Sequence, residues 1–245
     1  MIMAVSLKWM LAVAAAVSLV ACGRGRQASD DAMETTEASN RAPAAPSELA
    51  PATSAQAPSE DHRPVIAAFG DSLSAGFGLD PSQSFPDDLQ RDLDGAGYKY
   101  RVVNLGVSGD TTTDGVERLP SVLAVHPAIV ILEFGGNDGL RGLPVSAAKA
   151  NLEKMIQDIQ ASGGKVVLAG MTLPRNYGPE YIHEFEQMYV ALANQYKLAR
   201  IPFLLDGVGG NPNLMQRDGI HPTAQGAEIV ANTVMRYLTP LLRKS

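Results

Sequence analysis

The chain is poor in cysteine, basic runs, histidine and long apolar stretches, and each shortage excludes something. Its 245 residues include one cysteine, Cys22, so an internal disulfide is impossible. Lys and Arg (20) are outnumbered by Asp and Glu (26), the net charge is -6, and no long basic run occurs. Nucleic acid is therefore not expected as a partner, because phosphate binding rests on Lys and Arg. No internal repeat is visible. Apart from Asp218 and His221, no His, Cys and acidic residues gather at metal-ligand spacing, so no metal or cofactor is expected. The apolar run Trp9–Val20 is too short for a comfortable membrane span. What is present, 45% hydrophobic and 19% charged residues, suffices for one sizeable globular domain.

The first 21 residues, with one lysine before the apolar run, have the layout of a signal peptide. They lead into Leu19-Val20-Ala21-Cys22, which resembles the lipobox of bacterial lipoproteins. The resemblance implies cleavage before Cys22 and lipid on that cysteine. The protein would then be exported to the bacterial cell envelope, anchored to a membrane and facing the periplasm. The alternative is a plain secretory signal ending in a chance cysteine. Residues 22–62 include "APAAPSELAPATSAQAPSE" and few large apolar side chains. Such a composition cannot bury enough surface to offset the entropy of ordering, so a flexible tether is expected.

From residue 63 to 245, short apolar runs alternate with longer amphipathic ones. Strands are expected at Val65–Phe69, Tyr100–Leu105, Ala128–Phe134, Lys165–Gly170 and Ile201–Leu205. Several are apolar on consecutive positions, which suits parallel strands covered on both faces. Helical spacing places Leu152, Met155, Ile156 and Ile159 on one face, and Gly163-Gly164 ends that segment. Ile182, Phe185, Tyr189, Leu192 and Tyr196 form a second such face after Pro179, and "TAQGAEIVANTVMRYLTPLL" reads as a closing helix. The alternation predicts a three-layer α/β domain with a mainly parallel sheet. In such sheets ligands bind beyond the carboxyl ends of the strands. The polar, glycine-rich segments "GDSLSAG", "GVSGDTT", "GGNDG", "MTLPRNYG" and "RDGIHP" all fall on that edge.

Ser72 in Gly70-Asp71-Ser72 is either an ordinary turn residue or a nucleophile at the mouth of the sheet. A serine hydroxyl needs a base to take its proton, usually a histidine oriented by a carboxylate. Of four histidines, His62, His126 and His183 read as surface residues. His221 lies three residues after Asp218, with Gly219 between them permitting a tight turn. The pair is either a carboxylate beside an imidazole or an Asx turn capping the last helix. Acyl transfer also needs donors aimed at the developing oxyanion. Gly109, whose backbone no side chain blocks, and the side-chain amide of Asn137 are candidates. Each is equally readable as a turn residue or a cap.

"GDSLSAGFGL", "VVNLGVSGDTT", "GGNDGLRG" and "DGIHP" resemble, in order, the four signature blocks of the GDSL, or SGNH, hydrolases. "RLP" (Arg118–Pro120) and "LPRNYG" (Leu173–Gly178) look like its arylesterase, acyl-CoA thioesterase and lysophospholipase branch. The resemblance implies a flavodoxin-like, five-stranded parallel sheet. It implies Ser72 as nucleophile, His221 as base and then acid, and Asp218 as orienter. The oxyanion hole would come from the Ser72 and Gly109 N–H groups and the Asn137 side chain, with Gly106 a competing choice. The expected substrates are small esters, thioesters or lysophospholipids. A carbohydrate O-deacetylase, a non-catalytic binding lipoprotein and a peptide or amide hydrolase are the alternatives. Phe77, Leu79, Leu140, Leu143 and Leu173 near the motif loops suggest room for an acyl chain, although such residues are commonly core.

Overall fold

A computed structural model describes residues 61–244. The expected signal peptide, Cys22 and tether lie outside the described residues. The elements, in order, are β1 (Val65–Gly70), α1 (Ser72–Ala75), α2 (Phe85–Gly95), β2 (Arg101–Asn104), α3 (Thr112–Leu123), β3 (Pro127–Glu133) and α4 (Gly136–Leu140). They continue with α5 (Val145–Ala161), β4 (Lys165–Ala169), α6 (Pro179–Tyr196), β5 (Ala199–Ile201) and α7 (Ala224–Leu238). The five strands form one all-parallel sheet in the order β2-β1-β3-β4-β5.

The central strands are covered on both faces. Ile66–Phe69 of β1 and Val130–Leu132 of β3 are fully buried, which is why their apolar residues run consecutively. Helices α2 and α7 pack on one another, and α3, α5 and α6 form a second group. The predicted α5 face, Leu152, Met155, Ile156 and Ile159, is fully buried. Each such side chain contributes about 1.5–3 kcal/mol. In α6, Phe185, Tyr189 and Leu192 are buried, while Ile182 and Tyr196 lie at the rim of the core. Gly163 ends α5 with φ 90°, as its position suggests.

One strand differs from expectation. The run Ile201–Leu205 contributes only Ile201 to β5, which begins earlier, at Ala199. Pro202 cannot donate to a ladder, and beyond it Leu204 N–H turns back to Gly170 O. A proline next to the last paired residue is tolerated because β5 is an edge strand. Helices α2 and α3 add to the helical segments expected from the sequence, and α3 contains Pro120 near its end.

The strand order reverses direction at β1. The chain leaves β1 for β2 on one side and returns to β3 on the other. A crevice therefore opens between the carboxyl ends of β1 and β3, the usual place for a ligand in such sheets.

Candidate active site

Strand β1 ends at Gly70, whose register partner is Glu133. A Cβ at Gly70 would lie 2.3 Å from Glu133 Oε2, so only glycine lets that carboxyl pass beneath the chain. Asp71 then caps a four-residue helix by accepting the Leu73 N–H at 3.1 Å. Ser72 is the first residue of this helix. Its N–H donates to no protein group among the described residues. The Gly-Asp-Ser segment is thus a strand-to-helix turn that lifts a partly exposed hydroxyl into the crevice.

His221 arrives from the loop before α7. Its Nε2 stands 2.9 Å from Ser72 Oγ, and its Nδ1 stands 2.6 Å from Asp218 Oδ2. Asp218 makes both arrangements that its sequence permits. Its Oδ1 accepts the N–H groups of Ile220 and His221, an Asx-type turn, while Oδ2 faces the imidazole. It does not cap the helix: Thr223 does, accepting from Gly226 N–H. Partial burial acts to raise the Asp218 pKa, but the His221 side chain and the two backbone N–H groups outweigh it and hold the carboxyl at about 2. An ionised Asp218 can only accept, so it receives a hydrogen bond from Nδ1–H, which leaves the Nε2 lone pair facing the Ser72 hydroxyl. Gln216 fixes the loop, its side chain donating to Phe77 O and Pro222 O. His62, His126 and His183 are exposed and lie elsewhere.

The two glycines that compete for the oxyanion role separate cleanly. Gly106 N–H donates to Asn104 Oδ1, and a Cβ there would lie 2.3 Å from Ala75 N. Gly106 is a packing glycine. Gly109 has open space around it but a φ of +90°, and its N–H has no acceptor among the described residues. Its glycine serves backbone conformation rather than clearance. Asn137, at the start of α4, donates through Nδ2 to Asp110 O at 2.8 Å and to Asp71 Oδ2 at 3.1 Å. Ser72, Gly109, Asn137 and His221 line one cleft of about 350 Å³, together with Leu140 and Met171.

Three groups that organise this cleft have no role assigned from the sequence above, although Arg118 stands in "RLP" and Asp138 in "GGNDG". Arg118 donates to Asp110 Oδ2 (2.6 Å), Leu105 O (3.0 Å) and Gly70 O (3.2 Å), clamping the loops after β1 and β2. Asp138 accepts the N–H and the hydroxyl of Thr112, tying α4 to the start of α3. Glu133 lies fully buried under the Ser72 turn. A lone glutamate inside the apolar run "AIVILEF" was the available signal.

Among the described residues, the exposed large apolar side chains are Phe77 (50%), Val107 (43%), Leu143 (38%) and Ile220 (42%). Phe77 and Ile220 line the cleft, Val107 sits two residues before Gly109, and Leu143 follows α4. Of the apolar residues named from sequence, Leu140 and Phe77 reach the cleft, and Leu79 lines a smaller recess beside it. Leu173 is core, packed where a Cβ on Gly139 would touch it.

Residues 68–229 match the model of the GDSL-like lipase/acylhydrolase family. The chain belongs to that family. Relatives carry the same class of activity in their names. Esterase TesA of Pseudomonas aeruginosa is 49% identical over 73% of this chain and 89% of its own. An arylesterase of Vibrio mimicus is 39% identical over 71% and 89%. Thioesterase 1/protease 1/lysophospholipase L1 of Escherichia coli K12 is 38% identical over 73% and 85%. The crystal structure of TesA superposes with a TM-score of 0.71 at 48% identity, covering 73% of this chain and 99% of that one. The family member is a carboxylic ester hydrolase on the SGNH hydrolase fold, as the motif blocks imply.

Proposed function

We propose that the protein is a serine esterase and thioesterase acting on acyl chains longer than acetyl, held in the bacterial envelope by lipid on Cys22. The observation that carries the reading is the unbroken line Ser72 Oγ, His221 Nε2, His221 Nδ1, Asp218 Oδ2, with both gaps at hydrogen-bond length. Ser72 attacks the acyl carbonyl while His221 Nε2 takes its proton. The imidazolium is held by Asp218 and then protonates the departing alcohol or thiol. Water, activated by the same imidazole, releases the acyl group from Ser72. The Ser72 and Gly109 N–H groups and the Asn137 amide receive the oxyanion. A developing oxyanion is a stronger acceptor than the groups Asn137 holds in the free enzyme, so it replaces one of them.

The apolar mouth favours acyl chains over the acetyl groups of glycans, because each CH2 removed from water contributes about 0.8 kcal/mol. Fluorophosphonate should label Ser72 alone, and the label should vanish in Ser72→Ala. Across p-nitrophenyl esters, kcat/KM should rise by about fourfold per added CH2 until the cleft is filled. Faster turnover of acetylated xylan than of any longer acyl ester would replace this reading by the deacetylase one. Near-full activity in Ser72→Ala would remove it altogether.

A further inference from the structure

Glu133 ends β3 with no exposed surface, and its two oxygens are used very unequally. Oε2 accepts the N–H of Asp71 (3.1 Å), the N–H of Ser74 (3.3 Å) and the hydroxyl of Ser74 (2.9 Å). Oε1 is equally buried and receives no donor. A carboxylate offers two equivalent acceptors and would leave Oε1 starved. A neutral acid has one carbonyl oxygen that accepts and one hydroxyl that needs no donor, which matches three donors on Oε2 and none on Oε1. The acceptor at hand is the carboxylate of Asp71, the residue whose own backbone N–H donates to Glu133 Oε2. Two buried carboxylates in contact cannot both be charged without severe cost.

We propose that Glu133 is a positioning residue that keeps its proton at neutral pH and donates it to the Asp71 carboxylate. Three consequences follow from that one bond. The Glu133 carbonyl holds the turn that presents Ser72. Asp71 stays ionised and aims Asn137, whose Nδ2 lies 3.1 Å from Asp71 Oδ2. When Asn137 turns to the oxyanion, the Glu133 proton and the Leu73 N–H keep Asp71 satisfied. This last step rests on the oxyanion role proposed above for Asn137. Burial, and then the Asp71 charge, push the Glu133 carboxyl well above the usual range. Burial also lifts Asp71, to about 6, against the bonds from Leu73 and Glu133 and the nearby His221. The other titratable or charged groups around the pair are Asp138 on α4, Tyr189 on α6 and Arg118 on α3. The Tyr189 hydroxyl donates to Phe134 O, and Arg118 is spent on Asp110 and two carbonyls.

Proton linkage tests the placement of the proton without reference to catalysis. A carboxyl that is protonated when folded and ionised when unfolded loses stability as pH rises above about 4.3. The urea midpoint of Glu133→Gln should therefore gain steadily on wild type between pH 4 and pH 7. In infrared spectra at pH 7, wild type should show the carbonyl stretch of a protonated acid that Glu133→Gln lacks. Parallel stability curves and no such band would mean that Glu133 is ionised, and the proposal would fall while the Ser72 mechanism stood. Kinetics test the positioning. Glu133→Gln reproduces the acceptor and donor pattern, and should keep kcat within about threefold of wild type. Asp71→Asn faces the Glu133 proton with a donor. Glu133→Leu removes the pattern outright. Both should lower kcat by about tenfold to a hundredfold with KM little changed. If Glu133→Leu does not fold, Asp71→Asn still decides: full activity there would place the proton on Asp71 and overturn the assignment.

Discussion

At the scale of single residues, Asp218 shows how one side chain settles two questions at once. One oxygen makes the local turn and the other faces the imidazole, so the geometry of the loop and the tautomer of His221 have a common cause. With its carboxyl held at about 2, Asp218 is ionised through the neutral range. In the proposed mechanism the acid limb of the pH–rate profile therefore belongs to another group. The sign for stability follows from the same depression. Asp218 favours the fold above its unfolded value near pH ~4 and loses that contribution as pH falls toward 2. Its side chain is 37% exposed, so solvent screens the effect. Catalysis is less forgiving. Asp218→Asn should keep the turn but lower kcat by about 10⁴-fold, because an amide can stabilise the wrong imidazole tautomer. Stopped assays with a p-nitrophenyl ester would measure it, and a mutant near wild-type rate would show that His221 needs no orienter. The residues legible in the sequence were those whose partners are near in sequence or whose motif is itself a turn, such as Ser72, Gly109, Asp218 and His221. The roles of Asp71 and Glu133 were not, because Asp71 meets Glu133 and Asn137 from 62 and 66 positions away across the sheet, and Arg118, quoted within "RLP", gave no hint that it also reaches Gly70, 48 positions away.

At the scale of elements, the strands and the three long amphipathic helices could be read from periodicity. The short ones could not. Helices α1 and α4 have four and five residues, too few to show a period, and both begin at residues that line the cleft. β5 is three residues long at an edge, and its apolar neighbours belong to the turn that follows. Arg118 illustrates what element reading misses. It sits on α3, yet its guanidinium joins the loop after β1 to the loop after β2, stacked 5.1 Å from the Phe69 ring. Only a planar fork with several donors fits that position. Arg118→Ala leaves Asp110 without its ion pair and Leu105 O without its donor, while Gly70 O keeps only the Val107 N–H, and Asp110 O is the acceptor that holds Asn137. The expected loss is about 2–4 kcal/mol in urea unfolding. Arg118→Lys should recover only part of it, since an ammonium cannot reach all three acceptors. Equal stability of Arg118→Ala and wild type would mean that the loops hold themselves.

At the scale of the whole molecule, the proposed anchor and the hydrolase domain make separable demands. The domain alone contains every group that the proposed chemistry uses, and no helix among the described residues is long and apolar enough to cross a membrane. In the proposed reading, membrane residence comes from the lipid on Cys22. One acyl chain binds a bilayer only marginally, with a constant of about 10⁴ M⁻¹, whereas two or more anchor firmly. A lipoprotein cysteine with several chains would therefore hold the enzyme at the surface where lysophospholipids collect, without touching the triad. Cys22→Ala in a bacterial envelope should move the protein from the detergent phase to the aqueous phase. Its kcat/KM on a soluble p-nitrophenyl ester should not change, because Cys22 lies outside the domain that holds Ser72. Its rate on lysophospholipid dispersed in vesicles should fall, because the substrate is concentrated at a surface that the variant no longer occupies. If wild type and Cys22→Ala partition alike into the aqueous phase, the segment before residue 22 is a plain secretory signal and the enzyme works in free solution.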